Sequence, residues 1–440
     1  TAQHSTVLYK CTSRGKVPQT AIMGLDSCVK KYIRKHVPKA VSYHSSAKEA
    51  YEANEYCATI IDLNVELHRK PQHIATGEEW VSYIYNVRVR GTPGATCVLV
   101  IDNPSRVPEV KDLCHLARAG QKRKRNNFIP LPADTIINNG PLPDWTALTG
   151  SKYLLPRVWD FLLSGIRTRI RQDATFDKTV FFDTCYSWRL RGSVNCDGGI
   201  HLVCSAGGKS PPPPPTHAYG EGDLKCRCWA RYCLKARTIS TQGVLIMSVD
   251  LDNIPIFCNK RFNNVCLMAN TVTLDANGEV VPRSKGTRTA YEIINLGAIA
   301  LALGPHCEPF RALLCLSKND FNDNPQKLTT ERMLKTFFSV MAMGNRKLDA
   351  ERLLGDVKYY NKFAQMCLSK VYGNRSMTMP RIPTASLESY QCRGTWCYEY
   401  WSGKKQREGG PNCRDSGGWT VPSTSIDLKE YKGKVRLVPA

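Results

Sequence analysis

The sequence predicts an α/β protein with a central, mostly parallel sheet flanked by helices, followed by an irregular C-terminal extension. Three observations carry that expectation. Cys57-Ala58-Thr59-Ile60-Ile61-Asp62 is a short, β-branched apolar run that ends on an acid, and Cys97-Val98-Leu99-Val100-Ile101-Asp102 repeats the design. Runs with no polar face suit strands covered on both sides, as in a parallel sheet. Between them, Trp80 to Val87 has the pattern of a crossover helix, the connection that a parallel pair requires.

The remaining elements follow in chain order. Residues 1–22 are polar and mixed and read as an arm, with the core starting at Met23. From Ser27 to Val41, Cys28, Val29, Ile33 and Val37 recur at helical spacing among Lys and Arg, a basic amphipathic helix stopped near Pro38. Ser46 to Asn54 predicts a second helix. Lys111 to Arg125 predicts a basic helix ending in Lys122-Arg123-Lys124-Arg125. A helix over Trp159 to Arg171 and a strand over Thr179 to Phe182 come next. Pro211 to Pro215 form a stiff, exposed loop, and 126–219 as a whole is read as an insertion in a core spanning 23–320. Val244-Leu245-Ile246-Met247 predicts a third buried strand, again followed by acids, Asp250 and Asp252. Ala290 to Leu303, Glu331 to Met343 and Ala350 to Leu368 read as helices, which makes 321–375 a helical segment. From 376 to 440 the chain is rich in Pro, Gly, Cys and Trp, an irregular tail wrapping the core.

Charge narrows the partners. Sixty-one Lys and Arg against 38 Asp and Glu give a formal net charge of +23 over 440 residues. Such a field draws polyanions, so nucleic acid is the expected partner in preference to an acidic protein. No apolar run approaches the roughly 18 to 20 residues of a membrane span; the longest, around Leu296 to Leu303, is short, so no membrane partner is expected. The first residue is Thr1 rather than Met and no charged-then-apolar segment follows, which implies a trimmed, processed or renumbered start. Nineteen cysteines are scattered through apparent core segments such as Cys57, Cys97 and Cys204. That predicts reduced thiols in an intracellular compartment, cytoplasmic or within a viral particle, with at least one unpaired.

Six acids stand out: Asp62, Asp102, Glu221, Asp223, Asp250 and Asp252. Most follow or border a predicted strand, and the carboxyl end of strands is where α/β sheets place their sites. Clustered carboxylates repel and need cations to stay ionised together. An oxygen-rich set suits Mg²⁺ or Mn²⁺, and two such ions support phosphodiester cleavage. Cys226, Cys228 and Cys233, and Cys392, Cys397 and Cys413, lack the paired Cys-x-x-Cys spacing of a structural zinc site, so core thiols are the preferred reading over zinc. Trp396, Tyr398, Tyr400 and Trp401, beside Lys404, Lys405 and Arg407, allow either base stacking or packing of the tail on the core, the latter preferred.

Several motifs, in order, resemble one superfamily. Met23-Gly24-Leu25 with the basic helix reaching His36-Val37-Pro38-Lys39 is similar to the opening of Xrn-type 5′→3′ exoribonucleases and of their flap-endonuclease relatives. Asp62-Leu63-Asn64-Val65-Glu66-Leu67-His68 resembles the Xrn strand-end signature. Val100-Ile101-Asp102 followed by Lys111 and Arg118 resembles the second acid and its basic helix. Gly220-Glu221-Gly222-Asp223-Leu224-Lys225 resembles Gly-Glu-Gly-Glu-x-Lys, and Ser248-Val249-Asp250-Leu251-Asp252 the Asp-x-Asp strand end. The order agrees from residue 23 to about 310.

The resemblance implies a divergent PIN-like, FEN-like nuclease core. It implies that the six acids act as catalytic metal ligands, that Lys111 and Arg118 contact the substrate phosphate, and that His115, Asn64 and His68 support them. Lys111 and Arg118 lie two turns apart on one helix face, where both reach one phosphate. Two departures are visible. Ala119 stands where a second Arg is expected. In Leu303-Gly304-Pro305-His306-Cys307-Glu308-Pro309, His306 takes the place of the last metal acid, a possible ligand itself, with Glu308 close by. The flap-endonuclease hairpin with its Gly-x-Gly turn is not recognisable, which favours the Xrn side.

The expected function is a divalent-metal-dependent 5′→3′ exonuclease on single-stranded RNA with a 5′-phosphate, a hydrolase with RNA preferred over DNA. Two alternatives stand beside it. One is a flap or DNA exonuclease of the same superfamily. The other is a catalytically impaired nuclease-like fold, serving as a nucleic-acid-binding or structural part of a larger ribonucleoprotein or viral particle.

Overall fold

In the computed structural model of the chain, the described residues are 25, 27–68, 70–102, 131–132, 134–149, 151, 154–184, 188–189, 195–196, 199–205, 212–216, 220–319, 322, 328–344, 347–372 and 384–403. Lys111, His115, Arg118, Ala119 and the basic stretch 111–125 lie outside them, as does the arm 1–22.

Ten strands are described: β1 (Val41–His44), β2 (Tyr56–Asp62), β3 (Thr96–Val100), β4 (Thr179–Asp183), β5 (Trp188–Arg189), β6 (Asn195–Cys196), β7 (Ile200–Cys204), β8 (Gly243–Met247), β9 (Val265–Leu274) and β10 (Arg288–Asn295). β5 and β6 pair with each other. The other eight form one sheet in the order β1-β10-β9-β8-β2-β3-β4-β7. Its five central strands, β9-β8-β2-β3-β4, run parallel, and antiparallel strands close both edges. This is the α/β, mostly parallel sheet expected.

The apolar strand runs are explained by a core on each side. Ala58 and Ile60 of β2, Val98 and Val100 of β3, and Val244 and Ile246 of β8 point into one core with Val29, Trp229 and Phe310. Their alternates Ile61, Cys97, Leu99, Leu245 and Met247 point into the other with Trp80 and Trp159. Burial on both faces removes the polar alternation that would otherwise mark a strand. The crossover between β2 and β3 is helical, Gly77–Tyr83 running on as a π-helical stretch Ile84–Arg90. Thr76 caps it reciprocally with Glu79. The basic helix is Cys28–His36, burying Val29 and Ile33.

Four expectations change. Ala290–Leu303 is not one helix: β10 occupies Arg288–Asn295 and the helix begins at Leu296. Asn295 sets the boundary, its side chain accepting from the Ala298 N–H as an N-cap. Second, the span 126–219 is not wholly an insertion, because β4 lies in the parallel core beside β3. Third, part of the expected irregular tail is the helix Thr384–Trp401, in which Trp396, Cys397, Tyr400 and Trp401 are buried at helical spacing. Gln391 donates to the Leu353 carbonyl and Thr395 to that of Leu354, seating this helix on the core. Fourth, Leu296–Leu316 is long and apolar enough by composition for a membrane span, although the expectation found no such run. It is two helices, Leu296–Leu303 and Cys307–Leu316, separated by a turn in which Gly304 has φ +51°, and 67% of the window is buried inside the protein.

Fourteen cysteines among the described residues are thiols outside any disulfide. Cys97 is buried, while Cys57 and Cys204 are half-buried at the two sides of the sheet.

Candidate active site

Four parallel strands deliver acids to one edge of the sheet. Asp62 ends β2, Asp183 ends β4, Asp102 lies two residues beyond β3, and Asp250 and Asp252 follow β8. The helix Gly222–Ala236 packs across β2, β3 and β8, and its first turn brings Glu221 and Asp223 to the same edge. The Gly222 N–H donates to Asp102 Oδ1 over 2.7 Å. The approach is close: a Cβ at Gly222 would lie 3.1 Å from Asp102 Oδ1, so that carboxylate would have to shift by a few tenths of an ångström, and 3.7 Å from Asp62 Oδ1.

The carboxylates are held by short-range donors. Asp62 accepts from the Asn64 N–H (3.0 Å) and from the Ser248 hydroxyl (3.2 Å), and Ser248 also accepts from the Asp250 N–H. Asp250 Oδ1 accepts from the Asp252 N–H (3.1 Å), and Asp223 Oδ1 accepts from Asn253 Nδ2 (2.8 Å). Asp62, Glu221, Asp223 and Asp252 are buried. Burial first, then the charges of Asp102 and Asp250, raise the Asp62 carboxyl to about 7. The Cys226 thiol on the same helix is pushed well up, by burial and then by Asp62, Asp223, Asp183 and Asp102. The Cys397 thiol, raised first by burial, also senses Asp252 and Glu221. The six predicted acids therefore belong to one electrostatic neighbourhood.

Two residues organise it that carried no role in the sequence reading: Lys225, seen only as the end of a motif, and Asp183. Lys225 and Asp183 are fully buried and 3.5 Å apart. Lys225 Nζ donates to the carbonyls of Ile101 (2.8 Å) and Thr184 (3.1 Å), tying the ends of β3 and β4 together. Asp183 Oδ2 accepts from the Trp229 indole over 2.7 Å. Thr179-Val180-Phe181-Phe182-Asp183 has the same apolar-run-then-acid pattern as β2, a signal that was present in the sequence.

Other predicted residues fall elsewhere. His306 stands in the turn before the helix Cys307–Leu316, edge-on to Phe337 at 6.4 Å. Its imidazole is lowered by burial and then by Lys347. Neither neighbour is a site carboxylate, so the structure does not place His306 among the acids. Glu308 is engaged by Arg311 at 2.8 Å and by the Tyr398 hydroxyl. Of the predicted phosphate contacts, Asn64 lies beside Asp62, while the side chain of His68 is outside the described residues.

The donor set is one that hard divalent cations accept, because it consists of carboxylate oxygens whose mutual repulsion a cation relieves. Among the described residues no three His, Cys, Asp or Glu side chains close round a single point.

No known family profile matches the sequence, and no curated protein matches it. Among solved structures, two determinations of the catalytic core of Rad2 in complex with DNA substrate, complexes II and III, are similar. Each shares 12% identity, covers 83% of this chain and 86% of that chain, and superposes with a TM-score of 0.36. A likeness of that degree fixes neither family nor substrate.

Proposed function

We propose that the chain is a divalent-cation-dependent nuclease of the PIN-like, FEN-like superfamily, acting as a 5′→3′ exonuclease on single-stranded RNA with a 5′-phosphate. The observation that carries this reading is the convergence of all six predicted acids at the carboxyl edge of the parallel strands and the start of one helix. Asp62, Asp102, Glu221, Asp223, Asp250 and Asp252 would hold Mg²⁺ or Mn²⁺, directly or through water. When bound, the cations supply an activated water and stabilise the leaving oxygen. The chain's own groups do the rest. Ser248, the Gly222 N–H and Asn253 orient the carboxylates, and Lys225 ties the chain beside Asp102 to the chain beside Asp183. Asn64 Nδ2, a buried amide with no partner among the described residues, is a donor beside Asp62 for a phosphate oxygen. Lys111, Arg118 and His115, with His68, complete the phosphate contacts in this proposal. The +23 charge concentrates the polyanion around the site.

A second reading, a nuclease-like fold that binds nucleic acid without cutting it, is favoured by His306, which brings no carboxylate to the site. One assay separates the two. Purified protein is incubated with 5′-monophosphorylated RNA, 5′-hydroxyl RNA and a flapped DNA in Mg²⁺, Mn²⁺ or EDTA, and the products are resolved on a denaturing gel. Metal-dependent loss of the monophosphorylated RNA is expected. Cutting of the DNA alone moves the assignment to the flap side, and binding without products supports the second reading.

A further inference from the structure

Asn253 follows Asp252 directly and is completely buried, with 0% exposure. Its amide orientation is fixed by its neighbours. Nδ2 lies 2.8 Å from Asp223 Oδ1 and 3.0 Å from the Asp250 carbonyl. A carboxylate oxygen and a carbonyl both only accept, so exchanging N and O would set Oδ1 against two acceptors. The oxygen of Asn253 is thereby pinned on the other side of the amide. There it meets no donor among the described residues. An acceptor buried without a donor is costly in a folded protein. This one belongs to a residue whose Nδ2 is held by Asp223 and by the Asp250 carbonyl, and a cation, a cation-bound water or a free water would relieve it.

We infer that Asn253 Oδ1 is a neutral oxygen donor to the cation site, so that this chain completes its donor set from the residue after Asp252 and not from His306. The inference rests on the metal reading proposed above. A neutral ligand suits the place. Six carboxylates already exceed the charge of two divalent ions, and an amide adds coordination without adding repulsion. The same side chain performs two tasks, Nδ2 steering Asp223 and Oδ1 facing the ion. These tasks are separable by substitution.

The test is calorimetric titration of Mn²⁺ into the full chain and two variants, with circular dichroism melts as a check on folding. Asn253→Leu keeps the branched shape, at a somewhat larger volume, and loses both functions; Asn253→Asp keeps an oxygen at Oδ1 and loses the N–H donor. The expected result is Mn²⁺ affinity about 10- to 100-fold weaker in Asn253→Leu and equal to or tighter than wild type in Asn253→Asp. Wild-type affinity in Asn253→Leu overturns the inference. So does Asn253→Asp binding as weakly as Asn253→Leu, which would leave only the steering of Asp223. Should Asn253→Leu not fold, Asn253→Asp decides alone, weakened binding counting against. A wild-type protein that binds no Mn²⁺ removes both this inference and the metal reading. One that binds Mn²⁺ with the expected variant pattern but cleaves nothing leaves the inference standing and removes only the nuclease assignment.

Discussion

At Asp62 the cost of gathering acids can be followed through one titration. Its carboxyl sits at about 7 because burial, then Asp102 and Asp250, disfavour the charged form. The folded-state value lies above the unfolded one, near 4, so the native state holds this proton more tightly. The stability it contributes is therefore full below about pH 4 and is lost as pH rises towards 7. A divalent cation needs the deprotonated form and competes with the proton. The rise in Tm produced by Mg²⁺ is accordingly expected to be larger at pH 8 than at pH 6; equal rises would contradict this account of Asp62.

A second residue-scale prediction concerns Lys225 and Asp183, both fully buried. Lys225→Met strands a buried carboxylate and should cost about 3–5 kcal/mol. Asp183→Asn combined with Lys225→Met removes both charges while Trp229 keeps an acceptor, so urea denaturation should show most of that loss recovered. No recovery would mean that the ties to the Ile101 and Thr184 carbonyls, and not charge pairing, carry the stability. Asp183 was legible in principle, since it ends a run built like β2. It went unread because it fell in a stretch taken for an insertion. Asn253 was not legible: in sequence it begins an ordinary helical turn, and only its neighbours Asp223 and Asp250 give it meaning.

Elements were readable where burial imposed a pattern. β2, β3, β4 and β8 stand between two cores, and their runs announce them. β1 is only Val41–His44, with no apolar run to mark it. β10 was absorbed into the helix that follows, because its apolar residues Ala290, Ile293 and Ile294 also fit helical spacing until Asn295 caps the next element. The helix Thr384–Trp401 was masked by composition, since Cys, Gly and Trp weaken a helical reading that burial then overrides. Its end is held from two sides. Arg227 of the site helix donates to the Ser402 carbonyl and Arg311 to the Ser402 hydroxyl. This helix is thus part of the structure behind Glu221 and Asp252, not an appendage. Trp401→Ala is expected to cost about 3–5 kcal/mol in chemical denaturation. A loss under about 1 kcal/mol, the level of a typical surface change, would show that the helix is not integral.

At the scale of the whole molecule, an acid-lined sheet edge sits within a chain of net charge +23. In the proposed function the basic excess would bind a polyanion and the acids, once neutralised by cations, would act on it. Composition supplied the first expectation and the order of motifs the second, while the placing of the acids at one end of the parallel strands came from the fold. The central claim is that these carboxylates cut nucleic acid with a divalent cation. The measurement that meets it most directly is a paired binding and cleavage assay of wild type and Asp250→Asn on 5′-monophosphorylated RNA in Mn²⁺. The account predicts salt-sensitive binding by both proteins and cleavage by wild type alone, abolished by EDTA. Equal cleavage by the two proteins, or cleavage that survives EDTA, would contradict it.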